Sequence, residues 1–402
     1  MDQGQLKQLA SWRPRGFIQW LLTVLAVIAF AFISILTYYI WNPRGLPNIM
    51  SLLGAIAMVT PKFLLSITVV ILILVGLAVW RKALIAWIIL IPLVLLLSFL
   101  TVEPIIKMSN YAKNENVPAS LISHFFGKIE ITSKFIQDIV YGTTPDGVEL
   151  KLDVWPAQGD SKKSLQPAVV KVHGGGWVEG NKGNTPNWNQ WLSELGYTVF
   201  DVEYRMPPQA GWKDEVADVK SAIGWVAEHA DTYNIDPKKI NVMGDSAGGN
   251  LAMLAAYSMG DTKLPPSINV SAVPINSVIN IYGPADMTEF YKNNPSPDYV
   301  QDVMRKYIGG TPSQFPDRYK ILSPISYIQE NAPPTITLLG ASDRIVPEEQ
   351  AEILDRKLKE NNVPYELYLL PRADHVFDAV PNSLSAQFAY EKVKAFLQKN
   401  NK

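Results

Sequence analysis

The chain has 402 residues, a formal net charge of -1, no cysteine, four histidines and 48% hydrophobic residues. The absence of cysteine excludes disulfides, thiolate metal sites and a thiol nucleophile, and four scattered histidines leave little material for a multi-histidine metal centre. Near-neutral charge argues against nucleic acid as a partner. The average conceals an asymmetry. Between Phe17 and Leu100 the only charged residues are Arg44, Lys62, Arg81 and Lys82, whereas both signs are dense from Glu103 onward. A membrane region over 1–103, a linker or cap segment over 104–127 and a large soluble domain over 128–402 are therefore expected.

Phe17 to Trp41 is 25 residues without a charge, enough to cross a hydrocarbon core of about 30 Å at about 1.5 Å per helical residue. It ends in Thr37-Tyr38-Tyr39-Ile40-Trp41 with no small-residue cleavage site, so it reads as a retained anchor. Phe63 to Trp80 and Ala83 to Leu100 are uncharged stretches of 18 residues joined by Arg81-Lys82. They read as a hairpin of spanning helices, because neither offers water a polar face. Ile49 to Thr60 is too short to span and too apolar for a free loop, and reads as interfacial or re-entrant. Three crossings then place the N-terminus and the soluble domain on opposite sides. With the N-terminus inside, the inner flanks hold Lys7, Arg13, Arg15, Arg81 and Lys82, and the outer flanks hold Arg44, Lys62, Lys107 and Lys113. This five-to-four bias, led by the first helix, points the soluble domain outward.

Past the membrane region, Lys128 to Val140 and Val148 to Trp155 read as an antiparallel pair around a Pro145-Asp146-Gly147 turn. Short apolar strands then alternate with helical stretches. The strands are expected at Ala168–Val172, Tyr197–Val202, Ile240–Met243, Val278–Tyr282, Thr335–Leu339 and Tyr365–Leu370, and the helices at Trp188–Leu195, Asp214–Tyr233, Gly249–Ser258, Glu348–Asn361 and Ser383–Gln398. Such alternation predicts an α/β fold, a mostly parallel sheet flanked by helices. Gly283 to Tyr327, rich in aromatics and punctuated by proline, interrupts it and reads as a lid-like insertion.

Gly244-Asp245-Ser246-Ala247-Gly248-Gly249 follows a predicted strand and opens a predicted helix, the context of a Gly-x-Ser-x-Gly nucleophile elbow. Ser246 is the candidate nucleophile. In His173-Gly174-Gly175-Gly176-Trp177, consecutive glycines let backbone N–H groups point into a concavity. The motif resembles the HGGG oxyanion loop of lipases and esterases, which makes Gly175 and Gly176, with Ala247 after the nucleophile, the candidate oxyanion donors. His173 reads as an orienting residue. Serine needs a base, and His375 is the only histidine after Ser246. Asp343, just past a predicted strand, gives the chain order Ser, Asp, His and is the candidate orienting acid. Asp374 and Asp378 are rivals by proximity, although neighbours of a histidine rarely point back at its ring. Arg205 is expected to pair with a carboxylate, Asp245 to hydrogen-bond backbone, and Trp177 to line an acyl pocket.

With Leu152-Asp153-Val154-Trp155-Pro156, Val202-Glu203-Tyr204-Arg205 and Ala341-Ser342-Asp343-Arg344-Ile345-Val346-Pro347 added, the stretch from Gln137 to Leu397 resembles the α/β-hydrolase superfamily. Within it, the chain is similar to hormone-sensitive-lipase-like and feruloyl or acetyl xylan esterase-like carboxylesterases. The resemblance implies a membrane-anchored serine carboxylesterase that needs neither metal nor organic cofactor. Its substrate is a small-molecule or polysaccharide-linked ester with a short or medium acyl group, since the insertion is short for a large lid and its aromatics narrow the pocket. A peptidase or acyltransferase on the same fold, or a silent domain used as a binding module, are the alternatives. The oligomeric state is not legible.

Overall fold

The computed structural model describes residues 13–42, 49–158 and 164–401. Lys7 and Arg44 from the charge comparison lie outside the described residues. The first helices are α1 (Phe17–Trp41), α2 (Ile49–Val59), α3 (Pro61–Trp80) and α4 (Leu84–Asn114). Among the described residues, α1, α3 and α4 are long and apolar enough to cross a membrane. In α1 the hydroxyls of Thr23 and Thr37 donate back to the Gln19 and Ile33 carbonyls at 2.8 and 2.7 Å, so these two groups can enter an apolar surrounding already paired. Pro61 opens α3, where its missing N–H costs nothing. Helix α2, about 16 Å long at 1.5 Å per residue, is too short to span.

Helix α4 runs beyond the expected end at Leu100. The first part of segment 104–127 continues it to Asn114, and α5 (Leu121–Phe126) follows. The extension is held by side chains from the C-terminal end of the chain. Arg372 pairs with Glu103 at 3.1 Å, Lys392 pairs with Glu115 at 2.8 Å, and Tyr111 packs on Phe388 with ring centres 5.1 Å apart.

The described strands form one eight-stranded sheet: β1 (Ile136–Thr143), β2 (Glu149–Trp155), β3 (Gln166–Val172), β4 (Thr198–Val202), β5 (Ile235–Asp245), β6 (Ser277–Ile281), β7 (Thr335–Gly340) and β8 (Tyr365–Leu370), in the order β1-β2-β4-β3-β5-β6-β7-β8. Strand β2 is antiparallel to β1 and β4, and the pairs from β4 through β8 are parallel. Strands β4, β6 and β7 are buried along their whole lengths, as a parallel sheet covered on both faces requires. The covering helices include α6 (Pro186–Glu194), α7 (Asp214–Glu228), α8 (Ala247–Tyr257), α12 (Glu348–Glu360) and α13 (Leu384–Asn400). Between β6 and β7 the lid-like stretch carries α9 (Met287–Lys292), α10 (Pro297–Ile308) and α11 (Pro316–Ile321).

Two expected boundaries are corrected. Lys128 to Phe135 is not strand: the Thr132 and Ser133 N–H groups donate to the Gln190 side chain at 2.7 and 3.0 Å, which ties this segment to α6 instead of a ladder. Helix α7 stops at Glu228 rather than Tyr233, because the chain turns through Asn234 at φ +53° and enters β5.

Candidate active site

Strands β3, β5, β7 and β8 all deliver loops at their carboxyl ends, the edge where open parallel sheets bind ligands. Ser246 joins β5 to α8 with φ +54° and ψ -121°, a strained conformation for a non-glycine residue. Gly248 permits the turn: a Cβ there would lie 2.2 Å from the Val172 carbonyl oxygen. Ser246 Oγ is 2.9 Å from His375 Nε2, and His375 Nδ1 is 2.8 Å from Asp343 Oδ2. The other Asp343 oxygen accepts the Ile345 and Val346 N–H groups at 2.8 Å each, so the carboxylate is fixed by its own loop.

The two rival carboxylates lie elsewhere around the imidazole. Asp374 accepts the backbone N–H groups of His375 and Arg344 at 2.7 and 3.0 Å and the Arg344 Nε at 2.5 Å. Asp378 accepts Trp188 Nε1 and the Tyr282 hydroxyl, both at 2.6 Å. Tyr282 in turn packs on the His375 ring, with centres 4.6 Å apart. Burial disfavours the charged imidazole, but Asp343, with smaller contributions from Asp374 and Asp378, outweighs it and leaves the His375 pKa above the ordinary 6.5.

The glycine loop after β3 has Gly175 at φ +125° and Gly176 at φ +59°. A Cβ on Gly175 would lie 1.8 Å from the Glu179 carbonyl oxygen, so only glycine fits. Gly174 N–H donates to Asp245 at 3.1 Å. Among the described residues none accepts a hydrogen bond from the N–H of Gly175, Gly176 or Ala247. Those three groups are available to a developing negative charge. Asp245 is buried, which pushes its carboxyl up to about 6. His173 is buried against Tyr204, with ring centres 4.3 Å apart, and burial drops its pKa to about 4, so it stays neutral and holds the loop. Arg205 forms a two-pronged pair with Asp218 at 3.0 and 2.9 Å.

Ser246, His375 and the glycine loop open into a cavity of about 540 Å³, lined also by Trp177, Phe290, Tyr299 and Val303. Trp177 stacks on Tyr307 with ring centres 5.3 Å apart. Reading the sequence missed Tyr282, Trp188 and the second role of Arg344, which also donates to the Ser51 carbonyl and, at 3.1 Å, to its hydroxyl. Position just after Asp343 was the only signal for Arg344, and no local pattern marks the other two. Among the described residues no group of three or more His, Cys, Asp or Glu is placed to hold a metal ion.

The BD-FAE family model matches residues 152–358. The esterase LipQ of Mycobacterium tuberculosis is 33% identical over 265 residues, covering 65% of this chain and 61% of that protein. The probable carboxylic ester hydrolase LipM of the same organism is 30% identical over 254 residues, covering 63% and 58%. The chain thus spans about three-fifths of the length of these relatives. Among solved structures, esterase 2 of Thermogutta terrifontis phosphonylated by sarin is similar with TM-score 0.57 at 25% identity, covering 68% of this chain and 97% of that one. A truncated carbohydrate esterase from gut microbiota shares the fold with TM-score 0.57 at 22% identity, covering 68% and 98%. By sequence and by fold, the chain belongs to the BD-FAE family of α/β-hydrolases.

Proposed function

We propose that the protein is a membrane-anchored serine carboxylesterase acting on esters of short or medium acyl groups. Ser246 Oγ attacks the ester carbonyl carbon while His375 Nε2 takes its proton, and Asp343 holds the imidazole in the tautomer that presents a free lone pair. The N–H groups of Gly175, Gly176 and Ala247 hold the tetrahedral oxyanion. Collapse breaks the ester C–O bond, and His375 returns the proton to the departing alcohol. Water then attacks the acyl-serine by the same route and releases the acid.

The observation that carries this reading is the hydrogen-bonded chain Ser246–His375–Asp343, at 2.9 and 2.8 Å, opening into an apolar cavity beside three uncommitted N–H donors. Relatives that are named esterases, and a structural neighbour phosphonylated by sarin, support it. On this reading residues 1–103 anchor the chain, 104–127 connect it and 128–402 carry the catalytic domain, which faces outward. The cap aromatics Phe290 and Tyr299 limit the acyl side.

The test is turnover of the purified full chain on acetyl, butyryl, octanoyl and palmitoyl nitrophenyl esters, with matched anilides and added alcohol acceptors. The reading requires kcat/KM to be highest for the shorter esters and much lower for the anilides. Faster anilide cleavage would make the protein a peptidase, dominant transfer to acceptors an acyltransferase, and absence of any turnover a binding module.

A further inference from the structure

The catalytic cavity is not walled by the family-matched part alone. Leu52 and Ala55 of α2, which lie outside the matched span 152–358, line it together with Ser246 and His375. Helix α2 turns Ser51, Gly54 and Ala57 toward the protein and leaves Ile49 and Leu52 more than half exposed. On the inward face a Cβ at Gly54 would meet the Tyr39 carbonyl oxygen at 3.1 Å and Arg344 Nη1 at 3.3 Å, so α2 lies close against both α1 and the acid loop. The Arg344 guanidinium, 1% exposed, spans from Ser51 to Asp374, whose other oxygen holds the His375 backbone. A second tie lies beside it. Arg372 stacks on Trp41 at 4.0 Å and pairs with Glu103, which docks the histidine loop on the end of α1 and on the side of α4. Tryptophan at the end of such a helix marks the membrane boundary, so the histidine side of the cavity stands at that level.

Chemistry assigns the two sides of the cavity. His375 Nε2 must protonate the departing alcohol oxygen, so the alcohol portion of the ester leaves on the histidine side. That side is bordered by Val376, Ile345 and the α2 residues Leu52 and Ala55. The oxyanion loop is covered instead by α10: a Cβ on Gly176 would lie 3.2 Å from the Tyr299 hydroxyl and 3.4 Å from Val303 Cγ1. Tyr299 and Val303 thus crowd the acyl side, while on the other side α2 adds the apolar Leu52 and Ala55 beside Arg344 and Asp374, whose charges are paired with each other.

Resting on the esterase reading above, we propose that the substrate is a short-acyl ester of an apolar, membrane-resident alcohol, and that Leu52 and Ala55 of α2 form the wall that selects the alcohol chain. The full chain, reconstituted in lipid nanodiscs, is tested on ethyl, hexyl and dodecyl acetate and, separately, on ethyl esters of acetic, hexanoic and dodecanoic acid. At fixed acetyl, kcat/KM is expected to rise with alcohol length by about tenfold or more, the scale set by added methylenes in an apolar pocket. At fixed ethyl it is expected to fall with acyl length. Partitioning into lipid raises the apparent rate for every protein variant alike, so the decisive quantity is the dodecyl-to-ethyl acetate ratio. Ala55→Trp and, independently, Leu52→Gln should each lower that ratio by about tenfold. Ser246 labelling by a serine-directed phosphonate certifies that each variant is folded. A flat wild-type profile over alcohol length, a rise with acyl length instead, or an unchanged ratio in both labelled variants overturns the proposal while leaving the esterase reading in place. No turnover of any ester removes both.

Discussion

Replacing Asp343 by Asn exchanges one oxygen for an NH2 group, and the surrounding hydrogen bonds dictate which one. Asp343 Oδ1 accepts two backbone N–H groups at 2.8 Å, from Ile345 and Val346. The Asn carbonyl must take that position, which turns its NH2 group toward His375 Nδ1. Nδ1 then has to accept, the proton moves to Nε2, and Nε2 has no lone pair for the Ser246 proton 2.9 Å away. A wrong tautomer of this kind costs about 10⁴ in kcat, or about 5 kcal/mol of transition-state stabilisation. The assay is kcat and kcat/KM on acetyl and butyryl esters, with Tm measured alongside. Asp374→Asn is the control: it leaves the buried Arg344 without its anionic partner, a loss of about 3 kcal/mol, so it should lower Tm clearly but kcat far less than Asp343→Asn does. Asp378→Asn should also fall well short of the Asp343 effect. If Asp343→Asn kept kcat within tenfold of the parent, or Asp374→Asn damaged kcat more at a temperature where both are folded, the assigned acid would be wrong.

Four further outcomes are expected. Ser246→Ala should lower kcat by about 10⁶-fold with Tm retained; comparable turnover by the purified variant would refute the nucleophile. Gly175→Ala should reduce kcat by about 10² or more, since its Cβ would overlap the Glu179 carbonyl; unchanged kcat would remove this loop from oxyanion binding. The base must be neutral, and the His375 pKa lies above 6.5 chiefly because Asp343 outweighs burial, so kcat/KM should fall as pH drops through a value above 6.5. In Asp343→Asn, which removes that anion, this limb should move to lower pH. For topology, single cysteines at Gln5 and Asn48, both outside the described residues, and at Asn361 are probed in intact cells with an impermeant maleimide. Labelling at Asn48 and Asn361 but not Gln5 is expected, and labelling at Gln5 with Asn361 would show an even number of crossings.

The alternation of strands and helices from β3 onward was legible because the strands contain short apolar runs, those of β4, β6 and β7 buried along their whole lengths, separated by helical stretches. Ser246, Asp343 and His375 were legible as a set because each follows a strand in a parallel sheet, and such a sheet brings all carboxyl ends to one edge. Segment 128–135 was misread because its backbone is held by the Gln190 side chain of α6 rather than by a ladder, and a contact such as Thr132 to Gln190 has no local sequence signal. The same reason hid α2. Its apolar composition announced a membrane boundary, but nothing in residues 49–60 foretells that Ser51 meets an arginine 293 positions away. Tyr282 and Asp378 likewise act on His375 through a contact made only when β6 and the histidine loop lie side by side.

The central claim is that Ser246 is the nucleophile of an ester-cleaving site, and a serine-directed phosphonate tests it most directly. The purified full chain is titrated with the reagent while turnover of an acetyl ester is followed, and the adduct is located by mass spectrometry. The account requires a single adduct on Ser246, with turnover lost in proportion to labelling and neither label nor turnover in Ser246→Ala. Undiminished turnover by the fully labelled protein, or an adduct formed on another residue as activity disappears, would contradict it.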